Sequence, residues 1–515
     1  MNVSSLQRHL PILVAVLGSL ALSAYSVATH PLLNDDAYGY LHAAELFQTQ
    51  GLHTVLDLYG WYAYSILIAV GDAVLPGGLL SSAHYLNAFS NALMAAAFVR
   101  LASQLRPASP PRLRWFAVGV ILLYPEINEM RYFLIRDFAF WAFALWSLSL
   151  LLDYSAHGRL PSAIGWCLCV LIATAFRLEG LLLLALAPLL LSLPQRSTDK
   201  RPRRIWPLWT VLAVGVTLVV FGCYLAGIDL VELIGFAYRY YLPLLFNLGA
   251  SLRDTTAALI AVLFTPDNFP GADNLWHGGV IIGFAYVFTV LVNLAQALSL
   301  PLALLLAWGW LRGLLKPLPH VARPLHAYLY SAMIALTLFI LIMHFLTQRY
   351  AVLLSLLLLI QVPLLLDHLA EQARIQDFMP RLRWVLGLAC LYYAGDSLVS
   401  FGYSRDYVLE AIAWTREELP ADVELRTNNM AIAYESRRID DYDLVTRDGS
   451  LILQQAQPGD VLVLDLAHDE TVLREQLEEQ RDLALRTSFS NERGDEIRVY
   501  QVQNYDLLTP GETRR

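Results

Sequence analysis

The sequence predicts a polytopic α-helical membrane protein, with about 11 transmembrane helices in residues 1–400 and a small α/β domain in residues 401–515. Composition is the first reason. Of 515 residues, 57% are hydrophobic and 16% charged, whereas soluble chains run nearer about 45–50% and 25%. That excludes a disordered chain, a basic nucleic-acid binder and an ordinary cytosolic enzyme. Charge distribution is the second reason. Residues 401–515 hold 13 Arg, no Lys and 24 Asp and Glu, a net −11, while residues 1–400 hold 23 basic and 20 acidic groups, a net +3. The third is a series of apolar runs near the length needed to cross a hydrocarbon core of about 30 Å.

Those runs centre on residues 10–29, 83–104, 114–126, 138–153, 161–176, 178–194, 207–226, 277–311, 327–346, 350–367 and 384–400. The first follows Arg8 and ends at His30-Pro31-Leu32, a poor cleavage site, so it reads as an uncleaved anchor. The stretch 277–311 is too long for one straight span and contains Pro301; it reads as a kinked helix or as a span plus an interfacial piece, and is counted as one crossing. Basic residues orient the spans. They cluster at Arg100–Arg114, Arg196–Arg204, Arg312–Arg323 and Arg374–Arg383, with none between residues 9 and 99. These loops read as cytoplasmic. The N-terminus then lies inside, and the loops at 30–82, 127–137, around 177–179, 227–276 and 344–350 face outward with the tail. In a bacterial inner membrane the outer side is the periplasm. The four cysteines, Cys167, Cys169, Cys223 and Cys390, lie in apolar runs and complete no zinc motif.

The first outer loop, 30–82, carries the densest chemistry. Asn34 precedes Asp35 and Asp36, which fall in the first turn of a helix, where the helix dipole favours carboxylates. Asp35, Tyr38, His42 and Glu45 then share one helical face. Asp57-Leu-Tyr59-Gly-Trp61-Tyr62-Ala-Tyr64 follows as an aromatic platform. The pair reads either as a solvated cap, as a base for an acceptor hydroxyl, or as oxygen ligands for a divalent metal.

One span, then Asp-Asp-Ala-Tyr-x-Tyr-x-x-x-Ala-Glu-Leu, then Tyr-Gly-Trp-Tyr-x-Tyr, resembles the GT-C superfamily of membrane glycosyltransferases. That superfamily includes aminoarabinose, protein O-mannosyl and arabinofuranosyl transferases. The resemblance implies a polyprenyl-phosphate-linked sugar as donor and Asp35 or Asp36 as catalytic base or metal ligand, Mg or Mn being the metals considered. It implies a further catalytic acidic residue at Asp137, in Arg136-Asp137 of the next outer loop. Phe176-Arg177-Leu178-Glu179-Gly180 is similar to the family's Arg-Pro-Glu-Gly turn, with Leu178 replacing the proline. An Arg and a Glu in the membrane zone each cost about 2.5–3.5 kcal/mol on insertion scales, so they pair or line a wet cavity. Arg349-Tyr350 stands where the family places Arg-Tyr, and guanidinium binds phosphate oxygens bidentately. Arg131, Arg177, Arg349 and Tyr350 are thus the implied donor-phosphate residues. Tyr38, His42, Tyr59, Trp61, Glu179 and His277 are the implied substrate-lining residues. No outer loop offers the Lys that some relatives use. Each charged pair also has a structural reading: Arg136-Asp137 as a cap, Arg177-Glu179 as a hairpin, Arg349-Tyr350 as an interfacial anchor.

The tail opens with an amphipathic helix at 405–418, then alternates short strands at Val423–Thr427, Asp443–Thr446, Val461–Leu466 and Ile497–Val502 with helices at 429–436 and 470–484. This pattern suggests half of a Rossmann-like sheet. No Gly-x-Gly-x-x-Gly or Walker A motif supports nucleotide binding. The resemblance implies an inner-membrane enzyme in which attack from the face opposite the phosphate inverts the anomeric centre. Its acceptor is a periplasmic glycan, lipid or protein. A secondary transporter or lipid-linked glycan flippase is the non-enzyme alternative, disfavoured by the lack of internal repeats. An O-antigen ligase or polymerase is the third.

Overall fold

A computed structural model of the chain describes residues 3–58, 62–107, 110–192, 205–225, 227–229, 242–263, 275–315, 319–399, 404–420, 423, 425–437, 445–446, 448–480 and 482–503. Contacts divide the chain into two compact units, residues 1–28 with 46–399, and residues 29–45 with 400–515.

The first unit is helical among its described residues. Its helices begin with α1 (Val3–Thr29); α2 (Asp35–Gln50) starts in the second unit and ends in the first. Then follow α3 (Leu52–Leu58), α4 (Tyr62–Val74), α5 (Gly78–Leu105), α6 (Arg112–Leu122), α7 (Pro125–Glu129), α8 (Asp137–His157), α9 (Leu160–Phe176) and α10 (Gly180–Ser192). After them come α11 (Trp206–Leu225), α12 (Leu242–Phe246), α13 (Leu248–Leu263), α14 (Leu275–Leu298), α15 (Leu300–Leu311), α16 (Pro319–Met343), α17 (Gln348–Leu359), α18 (Val362–Ile375) and α19 (Met379–Leu398). The core helix is α8, apolar on all sides and packed between α5 and α9, with Phe138, Trp141, Leu145 and Leu148 buried. Distant parts of the chain meet where Arg112 of α6 donates to Asp367 and Glu371 of α18, at 2.6 and 2.9 Å.

Six helical segments among the described residues are long and apolar enough to cross a membrane, or up to seven if the bent pair α4 and α5 is one span. The sequence reading of about 11 counted shorter runs as crossings. As helices, α9, α10 and α15 have 17, 13 and 12 residues, and at 1.5 Å per residue they reach only about 18–26 Å. The 111° bend between α4 and α5 falls at Pro76-Gly77-Gly78, where Gly77 and Gly78 take φ of 112° and 82°. The kink expected from Pro301 lies at Ser299, φ 60°, and Pro301 sits in the first turn of α15.

In the second unit, α20 (Asp406–Glu417) precedes β1 (Leu425–Thr427), α21 (Met430–Ser436), α22 (Gly449–Gln455), β2 (Val461–Leu466), α23 (Thr471–Glu479), β3 (Leu483–Ser490) and β4 (Glu496–Val502). The sheet order is β1-β2-β4-β3; β1 and β2 are parallel, and β4 is antiparallel to both neighbours. It is therefore not half of a Rossmann sheet, whose strands are parallel. One face buries Leu462, Leu464 and Leu466 against Leu473 and Leu477 of α23, with Tyr500 and Val502. The expected helix at 470–484 stops at Glu479 and gives way to β3. The expected strand at 443–446 falls largely outside the described residues.

Candidate functional site

In the first unit, Asp137 opens α8 and is fully buried. One of its oxygens accepts from Arg177 Nη1, and the other accepts from Arg349 Nη2 at 2.6 Å and Nε at 3.1 Å. Arg177 also donates from Nη2 and Nε to Glu179 Oε1, at 2.6 and 3.0 Å. The turn between α9 and α10 makes this reach: a Cβ at Gly180 would stand 2.8 Å from the Thr174 backbone, so no other residue closes the turn unchanged. Arg177 lies 5.0 Å over the Tyr350 ring, itself stacked on Phe339 at 3.8 Å. Arg136 adds its charge to both carboxylates. Three guanidiniums against two carboxylates leave one net positive charge.

A narrow cleft, with about 30 Å³ of space for water, runs beside this cluster. Arg177, Glu179, Arg349 and Tyr350 share its walls with Phe140, Trp141, Leu336, Phe339 and Leu353. Four of the sequence-predicted residues therefore meet here, together with Asp137. Arg131 goes elsewhere: it is buried against α1, donating to Ser19 and Ser23 Oγ at 3.1 Å each and to Asn128 Oδ1 at 2.6 Å. Glu126 of α7 is also buried, and its carboxyl is pushed up to about 7 by that burial and by the charge of Glu129.

In the second unit, Asp35 and Asp36 head α2 and are exposed. Behind them Tyr38, Tyr40 and Leu41 are buried. The face predicted from the spacing is used: the Tyr38 ring lies 5.5 Å from that of Tyr434, and Glu45 Oε1 accepts from Tyr434 Oη at 2.8 Å. His42 Nδ1 is 4.0 Å from Glu45. Arg437 donates to both Glu45 oxygens, at 3.0 and 3.2 Å. Asp465, at the end of β2, has its carboxyl raised by burial, against the lowering effect of the Asn429 hydrogen bond, with Asp35 adding to the rise. Arg437 and Asp465 were not singled out in the sequence; their partners lie far away in the chain and leave no local signal. Tyr59 and Trp61 lie outside the described residues, as does the side chain of His277 in α14.

Two carboxylates can hold a metal only with further ligands. Consecutive helical residues diverge by about 100°, and among the described residues no group of three His, Cys, Asp or Glu can hold an ion. The residues at Asp35 and Asp36 thus do not by themselves fit a metal site.

No family model matches the chain, and no curated protein matches it. Solved structures to which it is similar include the apo oligosaccharyltransferase of Archaeoglobus fulgidus, at 11% identity and TM-score 0.49, over 83% of this chain and 64% of that one. The chain therefore spans less than two thirds of that relative. The oligosaccharyltransferase AglB from the same organism, in complex with an inhibitory peptide and a dolichol-phosphate, is similar at 11% identity and TM-score 0.49, over 97% and 75%. ArnT from Cupriavidus metallidurans bound to undecaprenyl phosphate is similar at 13% identity and TM-score 0.41, over 95% and 97%. AglB and ArnT are GT-C superfamily members. At these identities and TM-scores the likeness assigns this chain neither substrate nor mechanism.

Proposed function

We propose that the chain is a GT-C-type glycosyltransferase of a bacterial inner membrane, moving a sugar from a polyprenyl-phosphate donor to a hydroxyl on the periplasmic face. One observation carries this reading: the net positive cluster of Arg177, Arg349, Arg136, Asp137 and Glu179 borders a cleft walled by aromatic and aliphatic side chains. An anionic head on an apolar chain is the ligand that such a surface suits. Arg349, partly exposed, presents its guanidinium to the phosphate; Arg177 supports it, and Tyr350 stacks beneath. Asp137 holds both arginines in place and is a positioning residue.

Asp35 or Asp36 takes the proton from the acceptor hydroxyl. The acceptor oxygen bonds to the anomeric carbon, the carbon–oxygen bond to phosphate breaks, and its electron pair leaves with the polyprenyl phosphate. Attack opposite the phosphate inverts the anomeric centre. The acceptor is a glycan, lipid or protein of the cell envelope, with the N-terminus cytoplasmic and residues 401–515 periplasmic. No step is routed through a metal.

The test uses the full chain in nanodiscs with undecaprenyl-phosphate-linked sugars and envelope acceptors. The proposal expects transfer by the parent chain and loss of donor retention of at least tenfold in Arg349→Gln. Unchanged donor retention in that variant overturns the phosphate assignment.

A further inference from the structure

The segment that carries Asp35 and Asp36 belongs to the same compact unit as the tail, which grips it at Glu45. Glu45, ten residues along α2 from Asp35, receives Tyr434 Oη and a two-oxygen contact from Arg437. The Arg437 guanidinium also lies 4.4 Å over the Tyr434 ring, and the Tyr38 ring packs on the same tyrosine. The grip is anchored to the sheet. Asn429 caps α21 by accepting from Ala431 N at 2.9 Å and Ile432 N at 3.2 Å, while its Nδ2 donates to Asp465 Oδ2 at 2.7 Å. Arg437 closes that helix at φ 57°, a left-handed position that favours glycine. A β-carbon is tolerated there while its side chain holds Glu45.

We infer that Glu45, Tyr434 and Arg437 are positioning residues through which the tail sets the rotation of α2, and so the direction of the Asp35 and Asp36 carboxylates. The physical argument is the rigidity of one helix. Tyr38 and Glu45 are seven residues apart, two turns along one face. Fixing both fixes the helix about its axis, and with it the directions of residues one turn earlier. The inference rests on the proposed role of Asp35 and Asp36 as base.

The experiment compares the full chain in nanodiscs with Glu45→Ala, Tyr434→Phe, Arg437→Gly and the charge swap Glu45→Arg with Arg437→Glu. Arg437→Gly suits the left-handed backbone, so it removes the grip without straining α21. Amide hydrogen exchange is read first, because it needs no substrate. Amides 37–46 should exchange at least tenfold faster in Glu45→Ala and Arg437→Gly, with β2 and β4 unchanged, and the swap should recover most of the protection. Unchanged exchange at 37–46 in both variants overturns the grip. Transfer from undecaprenyl-phosphate-linked sugars is read second. The turnover number should fall at least tenfold with donor KM within twofold, and the swap should restore it in part. Loosened exchange with unchanged turnover, in a chain that Asp35→Asn and Asp36→Asn inactivate, overturns the positioning role. Full turnover in those Asn variants instead overturns the base, and exchange still decides the grip.

Discussion

Asp137 and the Asp35–Asp36 pair occupy the same local position, the first turn of a helix. Their surroundings differ completely. Asp137 is buried and accepts from two arginines; Asp35 and Asp36 are exposed at the head of α2. A carboxylate saturated by guanidiniums stabilises them and is a poor proton acceptor. A solvent-facing carboxylate on a helix packed from behind suits the proton-accepting role proposed for it. The motif supplies the acid, and burial decides its task.

Substitutions should separate the two places by stability. The largest effect belongs to Asp137→Ala, which leaves the buried Arg177 with Glu179 alone and takes the Asp137 carboxylate from Arg349; breaking a buried pair costs about 3–5 kcal/mol. Thermal unfolding in detergent should show it, and a loss below about 0.5 kcal/mol would erase the contrast. Glu126→Gln comes next and depends on pH. The folded-state carboxyl, raised to about 7 from 4.5 by burial and then by Glu129, binds its proton more tightly than the unfolded chain does. Its contribution is therefore complete below about pH 4.5 and lost as pH rises through about 7. The glutamine variant should match the parent at pH 4.5 and exceed it at pH 8 by up to about 3 kcal/mol; identical pH profiles would show that Glu126 does not titrate in the fold. Arg349→Gln removes one of two partners from Asp137 at a partly exposed position, so unfolding should report about 1–2 kcal/mol. A loss equal to that of Asp137→Ala would mean that Arg177 alone does not hold the carboxylate. Smallest of all, Asp35→Asn and Asp36→Asn should stay within about 0.5 kcal/mol of the parent.

The sequence made local features legible and left long-range ones hidden. The helix at 405–418 is α20, the helix at 429–436 is α21, and the kink expected from Pro301 is the break at Ser299. The face through Tyr38, His42 and Glu45 followed from helical period alone. Strand β3 was hidden because Leu483–Ser490 alternates between half-buried and exposed residues and borders an expected helix. The ion cluster was only partly legible. Arg177 and Glu179 are two residues apart, but Asp137 is 40 residues from Arg177 and 212 from Arg349. Such separations leave no periodic signal, and neither did the pairing of Glu45 with Arg437, 392 residues apart.

The central claim is that the exposed pair on α2 does the chemistry. The most direct measurement is transfer from undecaprenyl-phosphate-linked sugar by the parent chain and by the Asp35→Asn, Asp36→Asn double variant, both reconstituted and both checked for folding. The account predicts a loss of at least about 100-fold in the variant, with thermal unfolding unchanged. Parent-level transfer by the folded double variant would contradict it.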